Sequence, residues 1–153
     1  HIDRPIHWAR HLLRLRDQQK RTGGFTELVP LPFVHMEAPI YLKGGSRKGP
    51  TWRESVLMHS VARLTLNPHI PNIQASWVKL GPDGIAACLS AGVNDIGGTL
   101  MDETITRSAG AEHGQEMTPA AMEDLLFEAG RPSRQRTTLY GAASNERRHV
   151  SLA

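Results

Sequence analysis

The 153-residue sequence holds a single cysteine, Cys88. One thiol cannot close a disulfide within the chain or supply the several thiolates of a cysteine-rich metal site. Aromatic residues make up only 5% of the chain, fewer than a nucleic-acid interface with interleaved aromatic and basic residues would need. No apolar run approaches the roughly 20 residues of a membrane span. We therefore expect no disulfide scaffold, no nucleic-acid partner and no membrane partner.

The composition that is present suits an ordinary globular domain. Hydrophobic residues are 39% and charged residues 22% of the chain, enough to build a core. The net charge of +3 comes from scattered lysines and arginines, which favours a solvated basic surface. Arg4, Arg10 and Arg14 interrupt any apolar signal region, so we expect a cytoplasmic location. The chain begins at His1 without an initiator methionine, and we expect it to be part of a longer protein.

Helical and extended patterns alternate along the sequence. Thr51 followed by Glu54 forms a capping-box signal, and the helix after it is expected to bury Val56, Leu57 and Leu64. Repeated strand–helix units predict a parallel sheet, and three strands are too few for a closed barrel. Helices are predicted over residues 4–21, 51–67, 81–90, 102–108 and 119–130, with strands over 25–34, 73–80 and 93–99. A loop is predicted over 35–50, and residues 136–140 are predicted to form a small strand or an extended arm.

Polar residues lie just past the first predicted strand and on the second, and α/β sheets bind ligands at the carboxyl ends of their strands. His35 and Glu37 follow the first strand and offer either an acid–base or substrate-contacting pair, or simply a surface loop. Gln74 and Ser76 alternate with apolar residues on the second strand, so they share one face. That face either contacts a ligand or forms a polar network that only fixes packing.

The segment after the third predicted strand carries the richest set of polar groups. Its Gly97-Gly98 pair before a helix start is typical of phosphate binding, but Asp102 and Glu103 would repel a phosphate. The groups suit the hydroxyls, amines or amide edges of a neutral ligand better, and the alternative is helix capping and strand-end packing. The candidates in this segment are Asn94, Asp95, Thr99 and Glu103.

Metal binding by this chain alone is not expected. His59, His69 and His113 do not form a pair at the His-x-x-x-His spacing that places two ligands on one helix face. Cys88 lies between Ala87 and Leu89, a pattern typical of a small buried apolar residue rather than a nucleophile.

Four segments together resemble the radical SAM FO synthases. They are Phe25–Glu37 (FTELVPLPFVHME), Trp77–Gly81 (WVKLG), Asn94–Thr99 (NDIGGT) and Gln135–Tyr140 (QRTTLY). The NDxGGT and LPF elements are shared more loosely with the aminofutalosine synthases of menaquinone biosynthesis. The run His35–Pro39 favours the FO synthases. The resemblance covers residues 1–141, and residues 142–153 are expected to form a flexible tail.

The resemblance implies a fold and an activity. The fold would be α/β, the carboxyl-terminal half of a radical SAM (β/α) barrel, with parallel strands six to eight alternating with helices. The activity would couple L-tyrosine with 5-amino-6-(D-ribitylamino)uracil in deazaflavin biosynthesis, using S-adenosylmethionine and a 4Fe-4S cluster. Adenosine contacts would lie near Pro32 and Phe33, and no catalytic residue is assigned. The predicted substrate contacts are His35, Glu37, Gln74, Ser76, Asn94, Asp95, Thr99 and Glu103.

The sequence departs from the family pattern in one respect. The Cys-x-x-x-Cys-x-x-Cys loop that holds the cluster is absent, and a single cysteine cannot replace it. We therefore expect the chain to be inactive alone, to require the missing amino-terminal half barrel, and to oligomerise or exchange strands if isolated. Two alternatives remain: an aminofutalosine-type enzyme, and a non-catalytic half-barrel scaffold.

Overall fold

The computed structural model describes residues 1–100 and 102–146, and helices dominate this part of the chain. Most of the predicted tail, residues 147–153, lies outside the described residues, as does Met101. Within the described part, no helix is both long and apolar enough to cross a membrane. The helices are α1 (Pro5–Thr22), α2 (Pro39–Leu42), α3 (Trp52–Leu66), α4 (Trp77–Ser90), α5 (Thr104–Ser108) and α6 (Pro119–Glu128).

Local signals set the ends of α1 and α3 as predicted. Helix α1 ends at Gly23, whose φ of 62° is left-handed and whose N–H donates to the Gln19 carbonyl, because glycine adopts this conformation without steric cost. Helix α3 begins with the predicted capping box. The Thr51 hydroxyl accepts from the Glu54 N–H at 3.2 Å, and the Glu54 carboxylate accepts from the Thr51 N–H at 2.7 Å.

The buried face of α3 differs from the predicted one. Ser55 and the residues four, seven and eleven positions after it face the core. These residues are His59, Ala62 and Leu66. Val56 packs partly against the core. The prediction that Leu57 and Leu64 are buried is wrong, because they lie on the opposite face with 54% and 81% of their surface exposed.

Helix α4 begins earlier than predicted. Residues 77–80 form a helical turn rather than the end of a strand, and Gly81 then breaks the helical geometry with φ 63° and ψ 179°. The longer helical part follows Pro82, as the sequence predicted. Two smaller corrections apply elsewhere: the predicted loop 35–50 contains α2, and α5 begins at Thr104 with Glu103 as its N-cap.

The predicted strands are present only as isolated bridges. Leu28 pairs in parallel with Ile73, and Gln74 pairs in parallel with Asp95. The pairing ends quickly for local reasons. Pro30 and Pro32 lack the N–H groups a ladder needs, the middle segment enters α4 at Trp77, and Gly97 turns the third segment with φ 75°. The order and parallel direction agree with the prediction, but these short bridges do not confirm a half barrel.

The core lies between these bridged segments and helices α1, α3 and α4. On the bridged segments, Ile73 and Ala75 are fully buried and Leu28 packs against the same cluster. Because side chains alternate along an extended chain, Glu27, Gln74 and Asp95 fall on the other face. The fully buried members that complete the core are Leu12, Ala62, Leu66, Ile70, Ile85 and Cys88.

Candidate functional site

Asp95 is the centre of a polar cluster on the face opposite the core. Its Oδ2 accepts from Gln74 Nε2 at 2.9 Å, Arg136 Nη2 at 2.5 Å and Tyr140 Oη at 2.5 Å. Its Oδ1 accepts from the Gly97 N–H at 3.2 Å. Only 9% of the Asp95 side chain is exposed. The two parallel bridges and the segment after α6 thus bring Gln74, Asp95, Arg136 and Tyr140 together.

Glu27 places a second carboxylate against the same cluster. The Tyr140 hydroxyl contacts a Glu27 carboxylate oxygen, and Arg136 Nη2 lies 3.7 Å from Glu27 Oε2. The Arg136 guanidinium also stacks over the Tyr140 ring, with its Cζ 4.0 Å from the ring centroid. One phenol thus lies between two carboxylates, and its single hydrogen can be donated to only one of them at a time. We call Glu27, Gln74, Asp95, Arg136 and Tyr140 the Asp95 cluster.

The charges in the Asp95 cluster are mutually dependent. Burial alone would raise the pKa of Asp95, but hydrogen bonds from Arg136, Tyr140 and Gln74 outweigh it, so the pKa lies below its ordinary value. Burial and the adjoining carboxylates raise the pKa of the Tyr140 phenol. The cluster therefore combines a carboxylate held ionised with a phenol held protonated.

Sequence reasoning assigned only part of this cluster. Gln74 and Asp95 were predicted site residues, and the structure brings them into direct contact. Glu27, Arg136 and Tyr140 were not assigned as site residues. A signal for them existed, since all three lie in segments that carry the family resemblance, Phe25–Glu37 and Gln135–Tyr140.

The structure places Asn94 away from the Asp95 cluster. Its Oδ1 accepts from Arg63 Nη2 at 2.6 Å and from the Ile73 N–H at 2.9 Å. Arg63 also donates to the carbonyls of Gly92 and Pro71. In this arrangement the Asn94 amide ties α3 to the bridged segments, and its contact with a substrate stays a prediction.

Three of the predicted site residues, Pro32, Phe33 and Glu37, line an open groove of about 540 Å³. Lys79 and Thr106 line the same groove. Lys79 Nζ donates to Thr106 Oγ1 at 2.8 Å. The Phe33 ring stacks on the His1 imidazole at a centroid distance of 4.0 Å. The His1 ring therefore covers this face of Phe33.

The remaining candidates have separate local roles. His35 makes an edge contact with Tyr41 at 4.8 Å between ring centroids. Ser76 is the N-cap residue of α4, without a side-chain capping bond, and Thr99 is exposed. Glu103 caps α5 by accepting from the Thr106 N–H at 2.8 Å, which lowers the pKa of its carboxyl. The predicted contacts of these four residues with a substrate stay predictions.

The chain's own residues do not fit an iron–sulfur cluster. Among residues 1–100 and 102–146, no three His, Cys, Asp or Glu side chains are grouped so that they could hold a metal ion. Cys88 is fully buried in the core, and burial raises the pKa of its thiol to about 11. A protonated, enclosed thiol is a poor metal ligand.

Comparison with known proteins identifies the family. The family model described as the CofH/MqnC C-terminal region matches residues 22–148. The chain belongs to this family. The match includes every member of the Asp95 cluster and every residue that lines the groove except His1. This match, together with the relatives described next, confirms the predicted resemblance to the FO synthases.

Individual relatives agree with the family match. The chain is 52% identical to the FO synthase of Streptomyces coelicolor over 99% of its length, which is 17% of the relative. It is 54% identical to the FO synthase of Mycobacterium tuberculosis over 92% of its length, or 16% of the relative. It is 55% identical over 92% of its length to the 5-amino-6-(D-ribitylamino)uracil--L-tyrosine 4-hydroxyphenyl transferase of Methanopyrus kandleri, covering 38% of that protein. The chain thus spans well under half of these relatives.

Proposed function

We propose that the chain is the substrate-side portion of a radical SAM FO synthase, which couples L-tyrosine with 5-amino-6-(D-ribitylamino)uracil. The main support for this proposal is the sequence identity of 52–55% to FO synthases and to the hydroxyphenyl transferase across nearly the whole chain. The Asp95 cluster supports it, because a partly buried group of two carboxylates and one amide suits a ligand rich in N–H and O–H donors.

We also propose how this portion fits the complete fold. The segments around Leu28, Ile73 and Asp95 would be three neighbouring parallel strands of a barrel, completed by an amino-terminal half. In that arrangement Glu27, Gln74 and Asp95 would point into the barrel interior, where enzymes of this architecture bind their substrates. Residues 142–153 would follow the barrel as a tail, although Ala143 at its start is buried.

The side chains present in this chain indicate which cofactor and substrate contacts it would make in the complete protein. The 4Fe-4S cluster would be held by thiolates outside this chain, and with S-adenosylmethionine it would supply the radical that cleaves tyrosine. Phe33 and Pro32 would contact the adenosine part of S-adenosylmethionine, because the Phe33 ring stacks on a flat imidazole here. Glu37 and Lys79 border the same groove. Asp95 and Gln74 would orient substrate and exclude water.

The test is reconstitution of the complete protein that contains this chain. Purified under anaerobic conditions and supplied with iron, sulfide, S-adenosylmethionine and a one-electron reductant such as dithionite, it should join the hydroxybenzyl group of tyrosine to ribitylaminouracil, detected by mass spectrometry of the adduct. A protein lacking the amino-terminal half is the matched control and should form none. Absence of the adduct, or no consumption of tyrosine, would contradict the proposal.

A further inference from the structure

The hydrogen bond with Asp95 fixes the orientation of the Gln74 side-chain amide. Gln74 Nε2 lies 2.9 Å from Asp95 Oδ2. An ionised carboxylate can only accept hydrogen bonds, so the amide group facing it must be the NH₂ and not the oxygen. The Gln74 oxygen Oε1 is therefore directed away from Asp95.

A glycine leaves space beside this oxygen. A Cβ at Gly97 would lie 3.2 Å from Gln74 Oε1, tighter than an ordinary van der Waals contact, and Gly97 itself has a φ of 75°. The next residue, Gly98, would meet no atom within 4 Å of an added Cβ. The glycine at position 97 thus keeps a side chain from crowding the amide oxygen.

Residues far along the chain hold the carboxylate that fixes the amide. Arg136 and Tyr140 both donate to Asp95 Oδ2. They lie on one short turn closed by an antiparallel bridge between Arg136 and Ala142 and by the Thr137 N–H donating to the Gly141 carbonyl at 2.9 Å. Ala143, which follows, is buried and anchors the turn.

We infer that Arg136 and Tyr140 are positioning residues: they hold Asp95, Asp95 fixes the Gln74 amide, and the Gln74 oxygen accepts a hydrogen bond from ribitylaminouracil. This inference rests on the proposed function. Ribitylaminouracil carries amino, ring N–H and hydroxyl donors and no charge. These neutral N–H and O–H groups are donors from which the Gln74 amide oxygen can accept.

The test uses the complete enzyme and two readouts: the Kd for ribitylaminouracil by calorimetry without S-adenosylmethionine, and the KM for each substrate. Asp95→Asn keeps the shape of the side chain but supplies an NH₂ that can donate to Gln74. The Gln74 amide can then flip, which exchanges the positions of its oxygen and nitrogen. We expect the Kd and KM for ribitylaminouracil to rise about tenfold or more, with the KM for tyrosine changed less than about twofold.

Variants of the positioning residues separate this role from a merely structural one. Arg136→Gln and Tyr140→Phe should weaken ribitylaminouracil binding by about three- to tenfold, and Arg136→Lys should restore part of it because a cation remains. Leu139→Ala is the control on the same turn, since Leu139 is 80% exposed, and it should bind as the wild type does.

Each contrary outcome is informative. Equal loss of affinity for both substrates, or unchanged binding in Asp95→Asn, would overturn the inference, as would a wild-type enzyme that does not bind ribitylaminouracil at all. A wild type that binds ribitylaminouracil but forms no adduct with tyrosine would contradict the proposed function alone. In that case the binding data on the variants would still decide the inference.

Discussion

Among single residues, Gly81 shows how closely the loop before α6 packs on α4. Its φ of 63° lies in the left-handed region, and a Cβ there would come 2.3 Å from His113 Nε2. Two costs therefore oppose any side chain at this position, one from the backbone conformation and one from the collision with an imidazole. Gly81 allows the chain to leave the first turn of α4 and resume the helix at Pro82.

Replacing Gly81 with alanine should therefore destabilise the fold. We expect Gly81→Ala to lower the free energy of unfolding by about 2 kcal/mol or more, because left-handed strain and overpacking add. The measurement is the thermal unfolding midpoint of the complete protein together with hydrogen exchange of peptides from α4.

Gly98→Ala is the matched control, since an added Cβ there meets no atom within 4 Å. It should shift the midpoint little. If both alanines have the same small effect, the close packing of His113 on Gly81 is not a determinant of stability.

At the level of helices, the N-caps of α3 and α4 differ in a way that can be measured. Thr51 accepts a hydrogen bond from the Glu54 N–H, whereas Ser76 makes no side-chain capping bond. A bonded cap satisfies a backbone donor that the helix leaves without a partner. An unbonded cap leaves its hydroxyl available for another contact.

Thr51→Ala should therefore cost about 1 kcal/mol of stability, the usual contribution of a bonded cap. Ser76→Ala should cost less than about 0.5 kcal/mol. Hydrogen exchange at the first turns of α3 and α4 is the measurement. Equal protection losses in the two variants would show that the capping bond of Thr51 contributes nothing beyond the cap position itself.

The sequence predicts helix ends well because their signals are local. Pro5, Gly23 and Thr51 each act within one turn of the residue they terminate or begin. The strands were less predictable, because pairing depends on partners about 20 to 45 residues away: Leu28 pairs with Ile73, and Gln74 with Asp95. The Asp95 cluster is the extreme case, since the Glu27–Tyr140 contact joins residues 113 positions apart.

For the molecule as a whole, His59 is a buried ionisable group at the centre of the core. None of its surface is exposed, and its Nδ1 lies 2.7 Å from the Ser55 carbonyl. Burial lowers the pKa of His59 below 6.5, although the carbonyls of Ser55 and Gln74 act in the opposite direction. In mild acid the imidazole of His59 therefore binds a proton more weakly in the folded chain than in the unfolded chain.

Stability should therefore fall in mild acid. The contribution of neutral His59 is fully present above a pH of about 6.5 and is lost as the pH falls toward the lower pKa of the folded state. We expect the thermal midpoint to drop between about pH 7.5 and pH 5.5, and the drop to shrink in His59→Gln. An identical pH dependence in both proteins would contradict a role for His59.

The Asp95 cluster has a consequence for how the protein is made. Arg136 and Tyr140 leave the ribosome after every residue of the helical core, the last of which is Ala129. Because segments fold as they emerge, the core can form before the cluster exists. A premature stop codon after Ala129 would yield a chain that keeps its apolar interior yet leaves the carboxylates of Glu27 and Asp95 without their cation.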